Sequence, residues 1–179
     1  MPSNEIKGMA WVFPGDNYDV DVHLVPQTSR RLMAGRPRSE WAQYCMVPLD
    51  PDFPKKVKPN DIIVTGKNLG YGHDHLGPHY AMLACGIGAV IGESINMMFE
   101  RNCINLGLPP VQFPGILKKV KTGDQLALSL RAGTIHNLTS GESLTFKPLP
   151  EFLLEIIESG GLMGQVKQLI KDGKVKLHK

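Results

Sequence analysis

Three histidines and an aspartate lie within the seven residues from 73 to 79, in a turn rich in glycine: His73, Asp74, His75 and His79. Imidazole exchanges protons near neutral pH, and imidazole and carboxylate are both ordinary metal ligands. The turn follows an apolar run at 62–64 and leads into Pro78, which suits the first turn of a helix. A glycine turn between a buried strand and a helix N-terminus favours anions, because free amides and the helix dipole converge there. This segment therefore predicts proton transfer, anion binding or metal binding.

The metal hypothesis rests on the spacing of these histidines, with Asp74 between the first two. Against it, histidines in loops are commonly solvated or bonded to the backbone, so no metal site is assigned from the sequence. Cys45, Cys85 and Cys103 do not have the spacing of a zinc or iron–sulfur site. No cofactor is therefore expected in this chain.

Two other motifs are incomplete. Gly70-x-Gly72 with Gly77 resembles a dinucleotide-binding turn, but the last glycine comes late and no acidic residue ends the next strand. Asn17-x-Asp19-x-Asp21 resembles a calcium loop but lacks the central glycine and the terminal glutamate. Neither motif predicts a site.

Composition excludes several classes of protein. A net charge of +3 is too small to indicate nucleic-acid binding, and no apolar run approaches the length of a membrane span. The N-terminal residues lack the charged and apolar regions of a signal peptide. The odd number of widely spaced cysteines favours reduced thiols. We therefore expect a cytoplasmic globular protein with no membrane or nucleic-acid partner.

The pattern of apolar residues predicts one α/β domain over residues 1–179, with a C-terminal helical extension from about residue 150. A first strand is expected at 7–13. Strands at 62–64 and 89–91 and helices at 78–85 and 95–105 form a βαβ unit with parallel strands. Alternation at 125–130 and a hairpin at 134–146 add antiparallel strands. Final helices are expected at 150–159 and 162–171.

The connecting segments carry further expectations. Residues 16–26 are interpreted as a polar loop that continues through the arginines at 30–38, and residues 48–59 as an extended, proline-rich connector. Ser39 and Ser94 are expected to cap the helices that follow them.

Eight segments together resemble one family. They are residues 16–21, 50–53, 58–64, 66–68, 91–94, 101–109, 133–146 and 148–153. On them the chain resembles the small subunit of the isopropylmalate isomerase and homoaconitase family, the detached swivelling domain of aconitase. The resemblance implies a three-layer β/β/α swivelling fold and a hydro-lyase of leucine biosynthesis that acts on a hydroxy di- or tricarboxylic acid. It also implies a large-subunit partner that carries a 4Fe-4S cluster.

The chain departs from the family at the catalytic turn. After Gly70-x-Gly72 the family has Ser-Ser-Arg-Glu-His, in which a serine is the base and the arginine grips a substrate carboxylate. This chain has His73-Asp74-His75-Leu76-Gly77 instead. By position, His73 is predicted as the base, oriented by Asp74 or a neighbour, and His75 as a contact for a carboxylate.

Substrate binding is predicted for four further residues, which are Gly72, Arg30, Arg31 and Asp21. Amides near Gly72 would meet an anion, and Arg30 and Arg31 could replace the lost arginine, with a solvated loop as the alternative. Two hypotheses remain: a hydro-lyase subunit with altered chemistry, or a non-catalytic relative that binds a partner, a small anion or a metal. We favour the hydro-lyase subunit, because an unusual His-Asp-His run in an otherwise preserved frame indicates changed chemistry rather than decay.

Overall fold

The structure is a computed structural model that describes residues 5–175, leaving out the side chain of Arg30. A mixed sheet of seven strands runs in the order β4-β3-β2-β1-β5-β6-β7. The strands are β1 (Glu5–Phe13), β2 (Ile62–Thr65), β3 (Ala89–Gly92), β4 (Pro110–Gln112), β5 (Gln125–Ser129), β6 (Thr134–Asn137) and β7 (Ser143–Thr145).

Strand β1 joins a parallel half of the sheet to an antiparallel half. Its second part pairs in parallel with β2, from Ala10 opposite Ile62 to Phe13 opposite Thr65. Its first part, Glu5 to Met9, pairs antiparallel with β5. Strands β2, β3 and β4 are parallel, which confirms the predicted βαβ unit. The hairpin β6–β7 is confirmed as well.

Helices cover the sheet and fill its connections. They are α1 (Gln27–Met33), α2 (Phe53–Lys56), α3 (Gly77–Ala84), α4 (Met97–Leu106), α5 (Glu151–Glu158) and α6 (Leu162–Lys171). A π-helical turn at Val20–Leu24 and 3-10 helices at Arg38–Tyr44 and Ile116–Lys118 complete the described elements. No helix in the described range is long and apolar enough to span a bilayer.

Two hydrophobic cores lie on opposite faces of the sheet, because successive strand residues point to opposite sides. Ile63 and Val90 face a core that includes Phe53, Met82 and Phe99. On the other face, the core combines residues of β2, β3, β5 and β6 with α5; it contains Ile62, Val64, Ile91, Leu128, Ile135, Leu154 and Ile157. This layering confirms the predicted α/β three-layer fold class. The extent of the domain, residues 1–179, stays a prediction.

Several local expectations were wrong. The segment predicted as a polar loop contains the π-helical turn and α1. The π-helical turn forms because Asp19 Oδ1 accepts hydrogen bonds from the amides of Asp21 and Val22, at 2.7 and 3.1 Å. Val20 and Leu24 are then buried. The proline-rich connector likewise contains the short helix α2, with Pro54 in its first turn.

Neither serine caps a helix. The 3-10 helix at Arg38–Tyr44 follows Pro37 without a side-chain cap. Helix α4 is capped by Asn96, which accepts a hydrogen bond from the amide of Met98 at 3.0 Å. Ser94 Oγ instead accepts from the amide of Asn68 at 2.8 Å, so it holds the turn after β2 rather than the helix.

Asp61, immediately before β2, fixes that strand against β1. Its carboxylate accepts hydrogen bonds from the amide of Met9 at 3.1 Å, Trp11 Nε1 at 2.9 Å and the amide of Lys58 at 2.9 Å. The carboxylate is buried, and these three donors are N–H groups that keep their protons at all ordinary pH values. Asp61 is therefore a structural anchor for the strand that leads to the turn.

Candidate active site in the turn between β2 and α3

Backbone hydrogen bonds fasten the turn between β2 and α3 to the π-helical turn. The amide of Gly70 donates to the carbonyl of Tyr18 at 3.0 Å, and the amide of Val20 donates to the carbonyl of Tyr71 at 2.9 Å. The two segments are about fifty residues apart in the chain, yet they lie side by side. Asp21 is consequently placed against the residues that follow Tyr71.

Gly72 is required where these two segments meet. Its φ of +100° is in the region that favours glycine, and a Cβ there would lie 2.3 Å from Asp19 Oδ2. Asp19 cannot retreat without breaking the cap of the π-helical turn. The glycine thus allows the chain to pass close to Asp19 and to present His73.

Two of the predicted residues converge on Asp21. His75 Nδ1 lies 2.9 and 3.1 Å from the two oxygens of Asp21, and His73 Nδ1 lies 3.3 Å from Oδ2. The two imidazole rings are 5.4 Å apart between centroids and tilted by 31°. The carboxylate is nearly buried at 9% exposure, whereas His75 is 39% and His73 is 77% exposed. We call Asp21, His73 and His75 the Asp/His cluster.

The side chain of Asp74 faces away from the Asp/His cluster. It accepts a hydrogen bond from Asn102 Nδ2 on α4, and Arg101 Nη2 lies 3.9 Å from its other oxygen. The carboxylate that contacts His73 is therefore Asp21, not Asp74. Asp74 instead joins the turn to α4.

His79 belongs to the core rather than to the turn. It is buried at the start of α3, where its ring packs on Phe99 at 4.2 Å and its Nε2 lies 3.3 Å from the Phe99 carbonyl. Burial lowers the pKa of His79 to about 4, although the carbonyl groups of Phe99 and His75 and the charge of Asp74 act in the opposite direction. His79 is thus neutral at pH 7, and it does not join the other two histidines as the metal hypothesis supposed.

An apolar pocket of about 300 Å³ adjoins the Asp/His cluster. Its walls come from the end of α1, the 3-10 helix and the start of α3, and its lining residues are Met33, Ala34, Trp41, His75, Leu76, Gly77 and Tyr80. His75 is the one titratable imidazole among them. Sequence reasoning missed this pocket because the segment that supplies Met33 was interpreted as a polar loop.

Models of protein families gave no match to the chain. The isopropylmalate/citramalate isomerase small subunit of Methanocaldococcus jannaschii is 46% identical over 94% of this chain and 98% of its own. The chain belongs to the family of isopropylmalate dehydratase small subunits. A 3-isopropylmalate dehydratase small subunit of Methanopyrus kandleri is 41% identical over 91% of this chain and 93% of its own.

The fold places the chain in the same family of dehydratase small subunits. A solved structure of a 3-isopropylmalate dehydratase of Methanocaldococcus jannaschii matches with a TM-score of 0.84 and 33% identity, over 96% of this chain and 99% of that one. The resemblance stated from the sequence motifs is thereby confirmed.

The two arginines predicted to replace the family's lost arginine lie on α1. Arg31 is exposed and lines a surface depression with Gln27 and Thr28. The side chain of Arg30 lies outside the described structure, so its role in substrate binding stays a prediction. Asp21 was predicted as a substrate contact, and the structure shows it in direct contact with both histidines of the turn.

The cysteines of this dehydratase small subunit do not form a set that fits an iron–sulfur cluster. All three are buried, and burial raises the pKa of the Cys45 and Cys103 thiols well above the ordinary value. Cluster ligands must be thiolates that converge on one point. Within residues 5–175, one group of three potential ligands lies within 4.8 Å of one another, and that group is the Asp/His cluster.

Proposed function

We propose that this chain is the small subunit of a hydro-lyase that, with a large subunit, removes and adds water on a hydroxy di- or tricarboxylic acid. The observation that carries the proposal is the Asp/His cluster. It presents proton-transfer groups on the turn where the family resemblance places the catalytic residues. Relatives that cover nearly the whole chain are named as subunits of such enzymes, which disfavours the non-catalytic hypothesis.

Dehydration requires a group that removes a proton from carbon, and His73 is proposed for that role. His73 Nδ1 lies 3.3 Å from Asp21 Oδ2, and a carboxylate at that distance favours the proton on Nδ1, which leaves Nε2 with the lone pair that can take a proton. His73 is the more exposed of the two histidines, so it is the one that a bound substrate reaches from outside. A positioned base of this kind accelerates proton transfer by roughly 10²- to 10⁴-fold.

Carboxylate binding is divided among the remaining groups. His75, held by both oxygens of Asp21, is proposed to contact one substrate carboxylate when protonated. Backbone amides near Gly72 and the arginines of α1, Arg30 and Arg31, are proposed to bind a second carboxylate. This division replaces a single bidentate arginine by several weaker contacts.

The pocket beside His75 is proposed to hold an apolar substituent of the substrate. Its walls are mainly hydrocarbon and aromatic surface from Met33, Trp41 and Tyr80, which disfavours a third carboxylate there. A volume near 300 Å³ is ample for a short alkyl group. The relative from Methanocaldococcus jannaschii is named for isopropylmalate and citramalate, two acids with alkyl substituents. We propose an alkyl-substituted malate as the substrate class.

The large subunit is proposed to cover the turn. Tyr71 and Leu76 flank the Asp/His cluster and are exposed, so a partner that buries them would also exclude water from the site. A 4Fe-4S cluster in that partner would supply the Lewis acid that assists departure of the hydroxyl group. This chain contributes the proton acceptor and the substrate pocket.

The test is reconstitution with the large subunit encoded in the same genome. We expect each subunit alone to be inactive, and the mixture to form a heteromer that converts 2-isopropylmalate or citramalate to an unsaturated diacid, followed by ultraviolet absorbance. The small subunit alone should be colourless. A Met33→Asp variant should lose binding of the alkyl substrate and raise KM, whereas Gln43→Asp, on the exposed side of the 3-10 helix, should not. A fully loaded complex that dehydrates no hydroxy acid would contradict the proposal.

A further inference from the structure

We propose that Asp21, His73 and His75 bind one divalent ion of the first transition series, with Zn²⁺ as the typical case. The juxtaposition of two imidazole Nδ1 atoms on one carboxylate carries the proposal. It concerns ion binding by this chain and does not rest on the proposed function.

The distances from the two imidazoles to the carboxylate are those of ligands around a single ion. Two ligand atoms bound at about 2.1 Å to one ion lie about 3.0 Å apart at octahedral angles and about 3.4 Å apart at tetrahedral angles. His75 Nδ1 is 2.9 Å and His73 Nδ1 is 3.3 Å from the same oxygen of Asp21. One ligand atom of each residue lies within 4.8 Å of the other two, so rotation of the side chains is the adjustment that would bring all three atoms around one ion.

The types of ligand select the class of ion. Two imidazoles and one carboxylate suit zinc, iron, cobalt and similar ions, whereas magnesium and calcium prefer sites built from oxygen. Three protein ligands are the number found in zinc sites that keep a position open for water or substrate. His73 is largely exposed here, so the open position faces outward.

The ligands are held in place by two backbone segments. Asp21 lies in the π-helical turn that Asp19 caps, and the histidines follow Tyr71, whose carbonyl accepts from the amide of Val20. Ligands that are held before the ion arrives lose little conformational entropy on binding. This arrangement distinguishes the Asp/His cluster from exposed carboxylates that happen to lie near one another.

An imidazole that binds the metal ion through Nδ1 cannot at the same time donate an Nδ1 proton to Asp21, as the proposed base does. A metal-bound Nδ1 has no proton to give to Asp21, and the imidazole then keeps its proton on Nε2. Ion binding and the histidine roles proposed above are thus alternative states of the same three side chains, and they are measured separately.

The test titrates ZnCl₂ into the full-length chain, stripped of metal beforehand with a chelator, and follows heat and the zinc content after dialysis. We expect about one zinc per chain, and MgCl₂ should give no comparable binding. His73→Gln, His75→Gln and Asp21→Asn should each weaken zinc binding by about 100-fold or more. Mutation of a residue that only hydrogen-bonds to a metal ligand already lowers metal affinity by about 10- to 100-fold. His73 is mostly exposed, so its variant tests the site without endangering the fold.

Matched controls are His136→Gln and Asp172→Asn. His136 is an exposed imidazole on β6 bonded to Ser143, and Asp172 is an exposed carboxylate after α6 bonded to Gln168. Both variants should bind zinc as the parent chain does. The proposal is overturned if zinc does not bind below about 1 mM, or if one zinc per chain still binds with parent affinity in all three cluster variants. Dehydration by the reconstituted complex, assayed without added zinc, is a separate measurement, so failure of one proposal does not entail failure of the other.

Discussion

Two nearly buried aspartates, Asp61 and Asp21, show how the structural frame, meaning the sheet and the helices packed on it, differs from the candidate site. Asp61 is 3% exposed and Asp21 is 9% exposed, so burial does not separate them. Their partners do. Asp61 is surrounded by backbone amides and an indole, whereas Asp21 contacts two imidazoles.

The difference lies in whether the partners can change charge. An amide or indole N–H keeps its proton throughout the physiological range, so the contacts of Asp61 are constant. Imidazole changes charge in that range and can also exchange its proton for a metal ion. Asp61, whose partners keep their protons, anchors a strand. Asp21, whose partners are imidazoles, belongs to a site where protons or a metal ion can be exchanged.

The largest effect is expected from the site. His73→Ala in the reconstituted complex should lower kcat by roughly 10²- to 10⁴-fold, because the proposed base is removed. His75→Ala should mainly raise KM. The free energy of unfolding should change by less than about 0.5 kcal/mol for His73→Ala, as is usual for an exposed residue. Normal turnover by both variants, measured beside His136→Gln, would show that the histidines have no catalytic role.

The next effect is expected from the frame. Asp61→Ala leaves three N–H donors without their acceptor, so we expect a loss of about 2–4 kcal/mol in the free energy of unfolding, measured by urea denaturation. The fraction that stays folded should keep its kcat. If stability were unchanged and kcat fell, the contrast between the two aspartates would be wrong.

A third effect concerns pH. The pKa of His79 is about 4 in the folded chain and near 6.5 in the unfolded chain, so the unfolded state binds more protons between these values. Stability is therefore full above about pH 6.5 and falls as the pH drops, by about 2 kcal/mol between pH 7 and pH 5. His79→Gln should remove this pH dependence, because glutamine does not titrate. The glutamine amide can still donate a hydrogen bond to the Phe99 carbonyl. An equal slope in parent and variant would mean that His79 does not contribute it.

The smallest effect is expected for Cys103→Ala in α4. The thiol is fully buried and its raised pKa makes it unreactive, so it acts as a small apolar side chain. We expect a loss of about 1 kcal/mol in stability with unchanged activity of the complex. Loss of activity without loss of stability would instead assign a chemical role to this thiol.

The frame could be predicted from the sequence because its signals are local. Alternating apolar residues, glycines after helices and the spacing of elements predicted the parallel unit, the hairpin and the two C-terminal helices. Strand β4 was missed because Pro109 and Pro110 disfavour a strand, although a proline can begin one at the edge of a sheet. The π-helical turn was missed because the polar residues around it were interpreted as a loop, whereas Asp19 caps a helical turn there.

The sequence predicted the histidines of the site but not their pairing with Asp21. Its histidines stand in an unusual run that the sequence shows directly, but their common partner is Asp21, more than fifty residues earlier. Nothing in the local pattern selects Asp21 over Asp74, which is adjacent to both histidines yet bonds to Asn102. Pairing over that distance is decided by the backbone bridge between Asp19 and Tyr71, which only the folded structure reveals.

The backbone bridge between the two turns has a consequence for how the protein could acquire new chemistry. Its hydrogen bonds join main-chain atoms of Tyr18, Val20, Gly70 and Tyr71, so they do not depend on which side chains follow Gly72. Positions 73 and 75 can therefore be changed, by evolution or by design, while the backbone that carries them keeps its shape. Variation at these two positions is a route to a different reaction at little risk to folding, whereas Asp74 between them also joins the turn to α4.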